Sequence, residues 1–508
     1  MADSDSRSRR DVQADEASAE RTWSGDVDAN GHALGNLGAV EVDRVYTAAR
    51  EADVVVWKDD DGTFYADGRD GPVAEGERVL PVAQAAVDSL SEGRSSAEKV
   101  LVASPGEVTA ADEPLDLPSY TTLDAPVTLT GTEGAPLVVQ ATGAEHVTVE
   151  SLSVEGPAGG MRFTSCSNLR IGDVNLVGVT GDGIRIDGRG DAPRTTDVQI
   201  DQVYVEGNGH HGVETYGVDR IQIDQVIGVD PASCVVLLND TTDATVNSVV
   251  GREPGVPPGY ATFRVANGAH DVTVGEVVSR GGARGIFGVS ECYDVTIGEV
   301  NVVGARDQGI LIQNCQNFTV EGGVVKNTDA DAVRVDSRND GEQIPAEGVS
   351  ISNLRVVDDR DDPAQTWAIL ETGPACNHNR FVNNDVRGGG TDGLIGVFSN
   401  STVVRGNVGG GFADGTTTLT TGASPAARVE GISEFDDRTI PGSVDELEEF
   451  EQSAFETRAE PTDAPDASYA WETFYEWDAD AGAWDLVFEW RVDPGTDLEL
   501  DYVVDKVR

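Results

Sequence analysis

Lysine is almost missing. Of 36 basic residues in the 508-residue chain only four, Lys58, Lys99, Lys326 and Lys506, are lysines, against 90 Asp and Glu and a formal net charge of −54. Such a chain offers no basic footprint for a nucleic acid. No apolar run approaches the ~18 residues that a membrane span needs. The stretch Met1 to Thr22 is polar throughout and does not read as a secretory signal. Cysteine is scarce as well. Cys166, Cys234, Cys292, Cys315 and Cys376 are an odd set without CxxC spacing, which argues against a zinc site and a full disulfide framework.

What is abundant is carboxylate. A surface of this kind repels itself in dilute buffer. At molar salt the Debye length falls to about 3 Å and the repulsion is screened. The composition resembles that of haloarchaeal proteins. Disorder is excluded for the bulk, since 39% of the residues are hydrophobic and periodically placed.

Internal repetition dominates the middle of the chain. Units open at 146, 168, 197, 220, 243, 271, 294, 317 and 349, and read, for example, DVTVGEVVSRG (271), DVTIGEVNVVG (294) and NFTVEGGVVKN (317). Several steps are 23 residues long. Within a unit apolar residues alternate, as in Val272 and Val274, and Gly, Asn and Asp mark the turns. This period, with short β-branched strands, predicts an all-β parallel solenoid of about twelve coils, each ~4.8 Å above the last. Cys166, Cys292 and Cys315 fall two residues before a unit begins and should join a ladder of small buried residues.

Residues 79–124 carry an amphipathic segment (Val82, Ala85, Ala86, Leu90), a strand at Val100 to Val102 and a Pro105-Gly106 turn. With the repeat, this resembles the head of right-handed parallel β-helix proteins of the pectin-lyase-like superfamily, in which a helix caps the open end. The resemblance covers residues 79 to about 420 and implies the fold. The superfamily holds lyases, hydrolases, epimerases and adhesins, so it leaves the chemistry open. The segment DANGHALGNLGAVEVD (28–43) is similar to short β-elements near the start of viral tail-fibre and tailspike proteins. That resemblance implies a virion protein assembled in the host cytoplasm, a homotrimer attached to other virion proteins through its N-terminal region.

The organisation expected is a disordered tail (1–22), an attachment region (23–78), a β-helix (79–420), an acidic linker (421–468) and an aromatic β-meander (469–508). The linker contains Pro441, Pro461 and Pro465 and one short helix (Val444, Leu447, Phe450, Ala454). The meander's strands are 469–477, 484–490 and 498–504, and it could serve oligomerisation. Its aromatic face must be covered by the rod, by a symmetry mate or by a sugar.

Chemistry is expected on the strand after the turn in each unit. Aligned on its leading residue, the strand reads GMRFT (160), GIRID (183), GVETY (212), GIFGV (285), GILIQ (309) and AVRVD (332). Alternation points Arg162, Arg185, Glu214, Phe287, Leu311 and Arg334 outward, with Thr164, Asp187, Tyr216, Val289, Gln313 and Asp336 in a second column. Arg185, Tyr216, Phe287, Gln313, Arg334 and Asp336 suit sugar rings and hydroxyls. Insertions at 188–196, 252–260, 337–348 and 358–366 would wall a groove. GDGIRID (181–187) stacked under GHHGVETY (209–216) would bring Asp187 and Glu214 to about 8 Å between backbones. That separation suits a carboxylate pair for glycoside hydrolysis, with His211 as a proton carrier. The bland alternative is that Arg185–Glu214 and Asp182–His211 are complementary pairs between coils. GHHG resembles the GHG of polygalacturonase-like hydrolases, but that family's companion motifs are missing. No cofactor is implied. Asp329, Asp331, Arg334 and Asp336 have residue types that could hold Ca2+, and the same residues read equally as a solvated acidic turn that binds nothing. The partner expected is a host surface polysaccharide or glycoprotein glycan. Three readings stay open: a glycan-binding spike, a polysaccharide hydrolase or lyase, and a purely structural spike.

Overall fold

The computed structural model describes residues 52–434, 455–462 and 470–506, except 191, 256–258, 339–343, 400, 479, 482 and 494. Parallel strands stack coil upon coil, as the repeat requires. In one ladder the unit-opening strands stay in register: Val272 lies opposite Val295, and Val295 opposite Phe318. A second ladder of twelve strands runs from Leu115–Asp116 to Gly393–Gly396. Eleven steps of about 4.8 Å make it about 53 Å long. Its inward column runs Met161, Ile184, Val213, Val236, Phe263, Ile286, Ile310 and Val333. All eight are fully buried. A single coil cannot bury its own apolar residues, so stacking is what creates the core.

The reason Asn and Asp open the units is conformational. His146, Asn168, Asp197, Arg220, Asp243, Asp271, Asp294 and Asn317 all have φ between 49° and 59°. This is the left-handed region, which Asn and Asp tolerate because their side chains bond locally. It turns the chain at the same corner of successive coils. Asn317 also donates Nδ2 to Asp294 Oδ1 on the coil below at 2.9 Å. Asn317→Val is therefore expected to lower the unfolding free energy by about 1–2 kcal/mol. Urea denaturation measures this, and an unchanged midpoint would show that the corner is unstrained.

The five cysteines are free and buried. The thiols of Cys166, Cys292 and Cys315 bond to the carbonyls of Thr164, Val289 and Gln313 at 3.5, 3.0 and 3.3 Å. They fill the small positions beside the corner, as expected.

The boundaries need correction. Val54–Lys58 pairs in parallel with Glu98–Val102, and Phe64–Gly68 and Gly71–Gly76 continue antiparallel from it. Residues 54–76, read as part of an attachment region, thus form the first rung and a hairpin. The helix Val79–Asp88 buries Val79, Leu80, Val82, Ala83, Ala86 and Val87 in the rod's core. Ala85 is only half-buried, and Leu90 lies beyond the helix end. The parallel stack ends at Val403–Arg405.

The C-terminal meander is also corrected. Ala470–Asp478 and Ala483–Val492 pair as expected, but their third strand is Ala427–Glu434. Leu498–Lys506 instead joins Ala413–Leu419 and Phe455–Pro461. Strands thus occupy parts of the 421–468 segment read as a linker, while the short helix placed at 444–454 lies outside the described residues. The aromatic face finds a fourth cover that the sequence did not suggest: the two C-terminal sheets share one core. Phe455 packs on Tyr475 at 5.1 Å and Phe488 on Tyr502 at 6.3 Å between ring centroids. Among the described residues no helix is long and apolar enough to cross a membrane.

Candidate functional site

The register brings the predicted cluster together. Arg185 lies beside Arg162 on one side and Glu214 on the other, and Asp187 lies beside Tyr216. Outward-pointing residues thus line up because the inward Ile184, Ile186, Val213 and Thr215 are locked in the core. Asp187 and Glu214 are only 3% and 5% exposed although they lie on the outer face.

Arg185 ties the two carboxyl groups. Its Nε donates to Asp187 Oδ2 at 2.9 Å, and its Nη1 stands 2.8 Å from Glu214 Oε2 and 3.3 Å from Asp182 Oδ2. Arg162 Nη2 donates to the same Asp187 oxygen at 2.8 Å. The contact to Glu214 is close but off line, since Oε2 is a buried atom without a hydrogen bond among the described residues, as is Asp187 Oδ1. Arg189 Nε comes within 3.5 Å of that Asp187 oxygen. Tyr216 forms an aromatic wall, with the guanidinium carbons of Arg189 and Arg185 at 4.3 and 5.5 Å from its ring centroid.

Burial, with the Asp182 charge added, pushes the Glu214 carboxyl up to about 7. The single guanidinium of Arg185 only partly offsets this. Burial pushes His211 the other way, down to about 4. Its Nδ1 accepts from the Cys234 N–H at 3.1 Å, so the neutral ring carries its proton on Nε2, 4.0 Å from Glu214 Oε1. His211 is thus neutral near pH 7, with its Nε2 proton on the side of Glu214. Asp182 pairs with His211 across the coils, but through the backbone. Asp182 Oδ1 accepts the His211 backbone N–H at 3.2 Å, and the imidazole near it, at 3.7 Å, belongs to His210.

Phe287, Gln313, Arg334 and Asp336 lie farther along the same two columns, Phe287 three coils from Glu214 by way of Leu237 and Arg264. They line an open groove of about 530 Å³ that none of Asp187, Glu214 or His211 lines. A second cleft, about 350 Å³, opens over Ser151, Asn175, Gln202 and Tyr204 on another face, and it lacks the paired charges. The titratable chemistry marks the first region as the candidate site. Leu237 and Arg264 do not stand out in the sequence, because a small leading residue, Gly or Ala, marks the other strands of the column. Their coils carry Val235 and Thr262 there instead. The inward Val236 and Phe263, read by alternation, would have revealed them.

The acidic turn considered for Ca2+ has other partners. Asp329 accepts from Arg360 at 2.7 Å, Asp331 from Thr366 at 2.5 Å and Asp336 from Gln313 at 2.6 Å. Among the described residues no three His, Cys, Asp or Glu side chains converge to hold an ion.

No family model matches the chain, and no curated protein matches it in sequence. Solved structures do match. The A-module of the mannuronan C-5 epimerase AlgE6 of Azotobacter vinelandii is 13% identical over 65% of this chain and 95% of its own, with a TM-score of 0.54. The A-module of AlgE4 from the same organism is 14% identical over 64% and 95%, with a TM-score of 0.40. The Dettilon tailspike protein is 10% identical over 84% and 91%, with a TM-score of 0.42. Identity at this level speaks to architecture alone. The parallel ladders, the capping helix and the match to the AlgE6 module agree on it: the chain folds as a right-handed parallel β-helix.

Proposed function

We propose that the outer face of the second ladder is a glycan-binding surface, and that the chain is a spike-like virion protein that attaches to host surface polysaccharide. The observation that carries the glycan reading is the outward column itself. Arginine, carboxylate and aromatic groups occupy successive positions on a rigid strand stack, where planar apolar faces take sugar rings and forked donors take their oxygens. The virion assignment rests on the likeness of residues 28–43 to viral fibre segments. Light scattering at molar salt is expected to give a trimer, and a monomer would count against that part.

A second reading is favoured by the pair Asp187 and Glu214. A carboxyl held protonated near neutrality beside a carboxylate held by arginine is the division of labour that glycoside hydrolysis needs. Glu214 would give its proton to the leaving oxygen. Asp187 Oδ1 would direct a water onto the sugar. Tyr216 would stack on the ring. Incubating the protein with host polysaccharide in high salt separates the readings. Reducing ends that appear with the wild type and vanish in Asp187→Asn establish cleavage. Retained binding without new ends leaves an adhesin. Loss of all polysaccharide binding would overturn both.

A further inference from the structure

The groove beyond the carboxylate pair has a chemistry that its neighbours do not satisfy. Phe287 forms part of its floor, only 6% exposed, between two guanidiniums. The guanidinium carbons of Arg264 and Arg284 each lie 4.9 Å from the ring centroid. Arg284 is itself 6% exposed. Its Nε donates to Gln308 Oε1 at 2.8 Å and its Nη2 to Asp307. Its buried Nη1 has no acceptor among the described residues. Arg264 donates Nη1 to the Gly259 carbonyl at 2.9 Å, and its buried Nε likewise has no acceptor among them. Arg334, which stands 3.4 Å from Asp331, and Arg338 complete the cationic lining, and Asp336, the one carboxylate among the described lining residues, is engaged by Gln313.

Among the described lining residues four arginines stand against one carboxylate, the reverse of the balance in a chain whose net charge is −54. A buried N–H without an acceptor costs free energy, and a guanidinium fork matches the planar oxygens of a carboxylate or the face of a sulfate. Because these nitrogens are buried, salt screens them less than it screens the surface. Arg264 lies two coils, or about 10 Å, from Glu214 along the axis. Leu311 and Val289 continue the apolar floor beside Phe287.

We propose that this groove is an anion-selecting subsite, in which Arg264 and Arg284 hold a carboxylate or sulfate group of an acidic sugar unit over the Phe287 floor. The proposal rests on the glycan-binding reading and adds to it the charge of the glycan. It also gives the chain of sugars a direction along the rod, with an anionic unit about two coils from the carboxylate pair.

The test is binding to an array of oligogalacturonate, oligomannuronate, hyaluronan and heparan sulfate, each printed beside its carboxyl-reduced or desulfated form, with neutral glycans alongside. At least one acidic glycan is expected to bind tenfold or more above its neutralised form. Loss of preference on carboxyl reduction or on desulfation tells which anion is held. Arg284→Gln should abolish the preference. Arg264→Gln, at a half-buried position, repeats the test should Arg284→Gln fail to fold. Arg170→Gln, at an exposed position on the other ladder, should keep the preference. Equal binding to both forms, or binding to neutral glycans alone, overturns the subsite and leaves the glycan reading standing. Binding to no glycan at all overturns both.

Discussion

Glu214→Gln is expected to make the protein more stable than the wild type at pH 8 while removing any glycan cleavage. In the folded protein burial raises this carboxyl from 4.5 to about 7. The unfolded chain therefore gives up its proton at lower pH than the folded one does. The stability tied to Glu214 is fully present below pH 4.5 and lost as pH rises through 7. A shift of this size corresponds to at most about 3 kcal/mol at pH 8. Gln has the shape of the protonated acid and no charge to bury. The variant should gain about 1–3 kcal/mol at pH 8, and the gain should vanish near pH 4.5, where the two side chains are equivalent. Arg185 keeps Asp187 and Asp182 as partners in the variant. Turnover, if Glu214 is the acid, should fall by roughly 10²–10⁴-fold. The opposite result sinks this account: were Arg185–Glu214 a structural ion pair, removing one charge would cost about 3–5 kcal/mol at pH 8. Denaturant titrations of both proteins at the two pH values decide it. His211 supplies an internal check. Its folded value near 4 lies below its ordinary 6.5, so in the wild type it weakens the fold as pH falls from 6.5 to 4.

The same cluster shows where the sequence was legible. Register followed from alternation plus a fixed corner. Arg185 against Glu214 and Asp187 against Tyr216 could be placed because a slip of one residue would turn Ile184 and Ile186 out of the core. Which way a side chain leans afterwards is not periodic. His210 and His211 are neighbours, and only the bond from Cys234, one coil on, decides which imidazole faces Glu214. The ends failed for another reason. Val54–Lys58 is a single rung without the unit's corner residue, so no repeat betrays it. In the C-terminal part strict alternation revealed strands but not their partners: Leu498–Lys506 passes over its sequence neighbour and pairs with Ala413–Leu419. Strand pairing over so long a separation is set by core packing, which no local pattern encodes.

That last strand carries the prediction with the largest effect on stability. Glu371 lies opposite Val335 on the inward side of the ladder and is 1% exposed. It accepts from Thr402 Oγ1 at 2.6 Å, Asn379 Nδ2 at 2.8 Å and the backbone N–H groups of Ser399 and Phe398 at 2.6 and 3.1 Å. Lys506, fully buried on Leu498–Lys506, lies within the field of this group. Burial drives this lysine down from 10.5 to about 8, and the Glu371 carboxylate is what resists the fall. Burial raises the Glu371 carboxyl, and the strand that meets Val404 at Lys506 brings a buried ammonium within its field. Glu371→Leu leaves four donors without their acceptor and a buried lysine without this carboxylate, and it should cost at least about 3–5 kcal/mol. The lysine gives a pH signature that a mere packing defect would not. In the wild type, the folded state binds fewer protons than the unfolded state between about 8 and 10.5, so Lys506 adds stability as pH rises across that window. Without Glu371 the lysine falls further, and the rise should begin at lower pH. Guanidinium midpoints between pH 7 and 10.5 measure both effects. A loss under about 1 kcal/mol, or a pH profile parallel to the wild type, would show that the C-terminal module closes the rod by apolar contact alone.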